Sequence, residues 1–243
     1  MFGNNLISKP DHGDGLTLAV QEIFYTLQGE GPFGGLPAVF IRLAGCNLAC
    51  TFCDTEFDSG LTNRLDLDQI VSQVKRFPHH DLVVLTGGEP LRQNIVPLIS
   101  LLAGWGIRVQ IETAGTLWLT ELAGFCYRYD RDQSPVVLVV SPKTPTIHPM
   151  VMEYAHDFKY IIEAGRWDPE DGLPVFGTQP STKLKAQKLA RPWGAGILPR
   201  IWVSPCDAYD KEANQANIMA ARDIALTFGY RLNLQVHKIV NLP

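Results

Sequence analysis

Cys46, Cys50 and Cys53 fall within eight residues, spaced C-x3-C-x2-C in the run CNLACTFC. Thiolates at that spacing can converge on one metal centre. Structural zinc takes four ligands, usually as two separated pairs, and no neighbouring His or Cys completes such a set; zinc would need Cys126, Cys206 or a distant His. A [4Fe–4S] cluster on three cysteines leaves one iron open to an exogenous ligand, so the missing fourth thiolate acquires a purpose. Five cysteines with three so clustered argue against a disulfide framework and for a metal or redox centre in a reducing compartment. Cys126, in an apolar stretch, reads as structural.

Arg42 stands out next. It interrupts the apolar run 38–44 (AVFIRLA), where a guanidinium is costly to bury unless an anion meets it, and its planar fork matches a carboxylate bidentately. Strand alternation leaves the other choice open, an outward-facing side chain. Thr86 and Glu112 stand at the ends of two later apolar runs and are expected to face one cavity, although Glu112 also suits the first turn of a helix. Gln28 and Glu30 lie in the glycine-rich stretch LQGEGP, a polar turn that can also read a ligand's edge.

The elements that position these residues repeat a simple cycle. Residues 38–44 form a strand that enters the cysteine loop 45–55, and apolar residues at helical spacing follow over 65–77. Residues 82–85 enter TGGEP at 86–90, with a helix over 95–103. Residues 108–111 enter ETAGT, with a helical stretch to about 125. Residues 136–140 enter SPKTP, then come a short helix over 150–156 and a strand over 158–162. Residues 201–203 enter SPCDAYD, residues 212–228 form a helix closed by Gly229, and 232–236 form a last strand. Iterated βα units predict a parallel sheet, open or curled into a partial barrel, with ligand chemistry on the loops after the strands.

With the cysteine motif after the first strand and Thr86-Gly87-Gly88-Glu89-Pro90 after the second, the chain resembles the radical S-adenosylmethionine superfamily. That resemblance implies an α/β fold, a partial (incomplete) TIM-type barrel with the cluster loop after the first barrel strand. It implies that the amino and carboxylate groups of S-adenosylmethionine chelate the open iron, and that one electron cleaves the cofactor to methionine and a 5′-deoxyadenosyl radical. Gly88 and Glu89 would meet the methionine amine. Phe52, Cys53, Asp54, Ser141, Pro142, Lys143, Ser204, Pro205, Cys206 and Asp207 would line the cofactor pocket.

The run EIFYTLQGEGP at 22–32 and the ending from LQVHK to NLP narrow the resemblance to the 7-carboxy-7-deazaguanine synthase family, over roughly residues 21–243. The implied reaction converts 6-carboxy-5,6,7,8-tetrahydropterin to 7-carboxy-7-deazaguanine and ammonia, on the way to queuosine or archaeosine. Leu27, Gln28, Gly29 and Glu30 would read the pyrimidine edge and Arg42 would take the carboxylate. Thr86, Glu112, His237 and the terminal carboxylate of Pro243 would complete the substrate site. Thr55 would hold Mg2+, a hard ion suited to oxygen ligands. The resemblance also implies an electron donor such as flavodoxin or ferredoxin, and a homodimer.

Composition agrees with an ordinary globular chain of 243 residues, 46% hydrophobic and 19% charged. A formal charge of −4 excludes a nucleic-acid-coating or polybasic membrane protein. No apolar run approaches the roughly 20 residues of a membrane span, and the first residues lack the features of a signal peptide, so a cytoplasmic enzyme is expected. One domain over 1–243 is expected, with an N-terminal substrate-loop extension; residues 163–200, rich in Gly, Pro and charge, read as an insertion or long surface connection. Two other readings stay open. A radical activase acting on a partner protein's glycine would need an extended peptide groove, and a non-catalytic zinc module would need a fourth ligand.

Overall fold

The computed structural model describes residues 5–51, 53, 55–127, 130–178, 187–192 and 200–242. Among these residues nine strands form one sheet: β1 (Thr17–Leu27), β2 (Pro37–Leu43), β3 (Arg64–Asp66), β4 (Leu82–Gly87), β5 (Arg108–Thr113), β6 (Val136–Val140), β7 (Asp157–Ile162), β8 (Arg200–Pro205) and β9 (Arg231–Leu232). Their order is β3-β1-β2-β4-β5-β6-β7-β8-β9. From β2 to β9 every pairing is parallel, whereas β1 runs antiparallel to both β2 and β3. The result is an open α/β sheet of βα units, not closed into a barrel.

Among the described residues five α-helices accompany it: α1 (Leu67–Lys75), α2 (Val96–Gly104), α3 (Pro149–Tyr154), α4 (Lys211–Phe228) and α5 (Val236–Ile239). Their ends follow local chemistry. Asp66 accepts from the Gln69 amide while the Gln69 side chain returns to the Asp66 amide, a capping box that starts α1. Asp210 caps α4 by accepting from the Ala213 amide, and Gly229, at φ 71°, ends it in the left-handed region.

Alternation along the strands separates two apolar layers. Val39, Ile41 and Leu43 of β2, Val83 and Leu85 of β4, Val109 and Ile111 of β5, and Val136, Leu138 and Val140 of β6 share the core that takes in Ile70, Leu98 and Leu102 of the helices. The opposite parity, Ala38, Leu82, Val84, Val137 and Val139, forms a smaller cluster with Phe33 and Phe40 on the concave face. Continuing that second parity toward the strand ends reaches Arg42, Thr86, Glu112, Ser141 and Lys159. A short apolar plug therefore floors a polar chamber.

Several elements differ from the sequence-based expectation. Residues 17–27 form a long strand whose pairing with β3 lies outside the βα repeat, and its mixed apolar and polar pattern conceals it. Between Leu119 and Phe125 the chain makes only a 3-10 turn (Thr120–Gly124), closed where the Ser134 hydroxyl donates to the Phe125 carbonyl at 3.1 Å. The last strand stops at Leu232 because Asn233 turns its side chain inward, and residues 236–239 become helical.

Residues 163–178 and 187–192 fold back on the sheet. Leu173, Leu189 and Ala190 are buried, Arg191 pairs with Asp171 at 2.7 Å, and the Tyr160 hydroxyl donates to the Ala190 carbonyl at 2.6 Å.

Candidate active site

The concave face opens into a cavity of about 1080 Å³. Strand alternation places Arg42, Thr86, Glu112, Ser141, Lys159 and Ile161 on its wall. The register sets Arg42 beside Thr86 and opposite Glu22. Arg42 is half-buried, pairs with Glu22, and lies 5.1 Å from the centre of the Phe24 ring. It faces inward, as the carboxylate argument requires, but the chain already supplies one anion. A guanidinium has five N–H donors, so Glu22 does not exhaust it.

Glu112 is the hub of the chamber. One carboxylate oxygen accepts from the side-chain amides of Gln28 at 3.1 Å and Gln110 at 2.9 Å, and the other accepts from the Thr86 hydroxyl at 3.4 Å. Gln28 also accepts from the Glu30 amide at 3.0 Å, which shapes the loop after β1. Glu30 is buried, ion-pairs with Lys159 of β7, and accepts from the Gln235 side chain at 2.9 Å. The next amide, that of Gly31, donates to the Asn233 side chain at 2.8 Å, and Asn233 donates to the Ser204 hydroxyl at 2.7 Å. Lys159, Gln110, Asn233 and Gln235 were not singled out in the sequence. Only the buried parity of β5 and β7 could have pointed to the first two.

The cysteines occupy the rim of the same cavity, with Cys46, Cys50, Cys53 and Thr55 all on its lining. Burial pushes the Cys46 thiol up to about 12, with the nearby Glu89 charge adding to it. Among the described residues no three His, Cys, Asp or Glu side chains are grouped closely enough for a single metal ion. Three cysteines that each bind a different iron of a cubane need no such convergence, and the donor set suits that cluster. Gly88, Ser141, Lys143, Pro205, Cys206 and Asp207 line the cavity beside them.

Some expected residues sit elsewhere. Glu89 is fully buried and off the cavity wall. It accepts from the Thr113 hydroxyl at 2.7 Å and the amides of Ala114 at 2.9 Å and Leu91 at 3.0 Å. Burial pushes its carboxyl above the ordinary range, and those hydrogen bonds oppose the shift. Its carboxylate ties its own loop to the one after β5.

The glycines before it serve the chain's own packing as well. A Cβ at Gly87 would stand 2.2 Å from the Leu43 carbonyl oxygen, and one at Gly88 2.0 Å from that of Gly45. Ser204 and Pro142 are buried off the cavity wall, and Gly29 offers its carbonyl to the Val236 amide at 3.3 Å. Phe52, Asp54 and Pro243 lie outside the described residues; of His237 the structure describes the backbone, within α5.

Comparison with known proteins adds an independent line. Residues 40–178 match the model of the radical SAM superfamily. The chain is 46% identical over 250 residues to a protein of Rhodospirillum rubrum named 7-carboxy-7-deazaguanine synthase, covering the whole of both chains. A protein of the same name from Rickettsia prowazekii is 37% identical, over all of this chain and 96% of that one. The crystal structure of QueE from Escherichia coli superposes with a TM-score of 0.62 at 26% identity, covering 90% of this chain and 94% of the other.

Proposed function

The chain belongs to the 7-carboxy-7-deazaguanine synthase family of the radical SAM superfamily, and from that premise we propose that it is the lyase that contracts 6-carboxy-5,6,7,8-tetrahydropterin to 7-carboxy-7-deazaguanine with release of ammonia. The observation that carries the reading is the shared chamber: three cysteines at its rim, a cation on one inner strand, and carboxylates on its wall and roof. A flat substrate with one carboxylate and an edge rich in N–H donors asks for that combination.

Cys46, Cys50 and Cys53 would hold the [4Fe–4S] cluster, and Gly88, Ser141, Lys143, Pro205, Cys206 and Asp207 would line the S-adenosylmethionine pocket. Together the two cofactors supply a 5′-deoxyadenosyl radical when bound. The chain's own residues do the selecting. Glu112 is held by three donors and presents acceptor lone pairs to the pyrimidine edge, with Gln28 and Glu30 closing over it. Arg42 takes the substrate carboxylate beside Glu22. Lys159 holds the Glu30 carboxylate, which fixes the loop's position before substrate arrives.

The finer parts of the reading rest on family resemblance. Thr55 binds Mg2+ beside the cysteines, His237 and the Pro243 carboxylate touch substrate, and a flavodoxin or ferredoxin delivers the electron to a homodimer in the cytoplasm. No described helix is long and apolar enough to cross a membrane.

The test is anaerobic reconstitution followed by incubation with S-adenosylmethionine, reductant and the carboxytetrahydropterin. Chromatography should show 5′-deoxyadenosine and 7-carboxy-7-deazaguanine forming together, and Cys50→Ala should form neither. Cofactor cleavage that the pterin leaves unchanged, with no deazaguanine formed, would overturn the substrate assignment. Repeating the assay across Mg2+ concentrations, Thr55→Ala should keep its cluster and lose the stimulation by Mg2+. Full stimulation in that variant would make Thr55 a turn residue only.

A further inference from the structure

We infer that the two stretches flanking the cysteine loop in space, residues 5–8 and 163–178, tune the cluster by carrying hydrogen-bond donors onto the sulfurs of Cys50 and Cys53. The inference rests on the reading above, that the three cysteines hold a [4Fe–4S] cluster.

Thr178 is buried against the cysteine loop. Its carbonyl accepts from the Thr51 amide at 3.0 Å and its own amide donates to the Lys143 carbonyl at 3.3 Å, so the backbone is fixed between the cysteine loop and the loop after β6. Held there, its hydroxyl reaches the Cys50 sulfur at 3.2 Å, across 128 residues of sequence. The Lys143 carbonyl, at 3.3 Å, competes for the same proton. That carbonyl already accepts the Thr178 amide, whereas an iron-bound sulfur carries thiolate charge. A charge-assisted bond is the stronger of the two, so the single hydroxyl proton goes to sulfur.

Asn5 makes the matching contact from the other side. Its side-chain amide lies 3.6 Å from the Cys53 sulfur and 2.8 Å from the Thr55 carbonyl, and its carbonyl oxygen accepts from the Phe57 amide at 3.2 Å. The Ser8 amide donates to the Cys46 carbonyl at 2.7 Å, which secures the same stretch to the loop. The third sulfur is served from within the loop, by the Leu48 amide at 3.4 Å from Cys46. Each of the three sulfurs therefore has a hydrogen-bond donor among the described residues, and the Thr178 and Asn5 donors come from outside the motif.

Reduction places added negative charge on the cluster and its sulfurs. A donor stabilises the reduced form more than the oxidised one and raises the potential. Thr178 and Asn5 act through the cysteines, so both are positioning residues.

Thr178→Val removes the hydroxyl and keeps the shape and both backbone bonds. The anaerobically reconstituted full chain should carry iron and sulfide equal to wild type. Its midpoint, followed by electron paramagnetic resonance in a redox titration, should move to more negative potential, with the reduced fraction at a fixed solution potential falling severalfold. Thr178→Ser should restore it, and the shift of the terminal Fe–S stretch on deuterium exchange should shrink in the Val variant and be kept in the Ser variant. Asn5→Leu should move the potential the same way. Unmoved potentials in fully loaded Thr178→Val and Asn5→Leu overturn the inference alone, as does lost cluster content with unchanged potential in what remains. A wild-type chain that takes up no cluster overturns the reading and the inference together.

Discussion

Arg42 shows how much one residue can say and where it stops. An Arg inside an apolar strand announces an anion, but sequence alone does not say which face it occupies. The register settles that: Arg42 shares parity with Ala38 and Phe40, the concave side, and faces Glu22 of a strand that the βα pattern does not announce. Arg42→Ala should lower kcat/KM by about 30–150-fold, the worth of a charged hydrogen bond of about 2–3 kcal/mol. Arg42→Lys should recover only part, since the charge returns without the fork. Steady-state kinetics on protein with verified cluster content decides it, and an unchanged kcat/KM in the Ala variant ends the carboxylate assignment. The cysteines were legible because their spacing is local. Lys159, Asn233 and Gln235 were not, because each acts on a loop between 129 and 205 residues away.

At the scale of elements, the central parallel strands β4 to β7 could be read from apolar runs because they are largely buried on both faces and bounded by turns. What escaped was set by tertiary contacts: the antiparallel β1–β3 pair, the short turn at 120–124, and the buried packing of 163–178. The β6–β7 connection offers a test at this scale. His156 ends it and is buried, its Nδ1 accepting from the Leu138 amide at 3.0 Å and its Nε2 facing the Tyr127 carbonyl at 3.2 Å. Burial, first, and the Arg131 charge hold its pKa below the ordinary 6.5, against the pull of the Tyr127 carbonyl. The unfolded chain then binds the proton that the folded chain refuses. Stability from this group is complete above about pH 6.5 and falls as pH drops from there toward the lower folded value. Urea midpoints measured from pH 7.5 down to 5 should decline more steeply in wild type than in His156→Gln. Equal slopes would show that the imidazole does not titrate on unfolding.

The whole molecule explains why an open sheet can still enclose a chamber. Among the described residues backbone pairing runs from β3 to β9, with no ladder joining the two edges. Side chains bridge the gap between β1 and the end of the sheet instead, together with one backbone bond from the Val236 amide to the Gly29 carbonyl. The loop after β1 reaches across the gap, where the Gly31 amide meets Asn233, the Glu30 carboxylate meets Gln235, and the Glu30–Lys159 pair binds the loop to β7. One loop thus serves as substrate roof and as the clasp of the curved sheet, so the roof can be ordered only when both ends of the chain have folded. Asn233 is the clasp residue with no place in the substrate contacts proposed above, and it is buried, serving Gly31 and Ser204 at once. Asn233→Ala leaves a buried amide and a buried hydroxyl without these partners and should cost about 2–3 kcal/mol. Loosening the roof should raise KM for the pterin more than it lowers kcat, and amide hydrogen exchange over residues 27–33 should accelerate while β4 to β6 stay protected. Exchange in 27–33 that matches wild type, with KM unmoved, would show that Asn233 is not needed to hold the roof and that its contacts with Lys159, Gln235 and Val236 suffice.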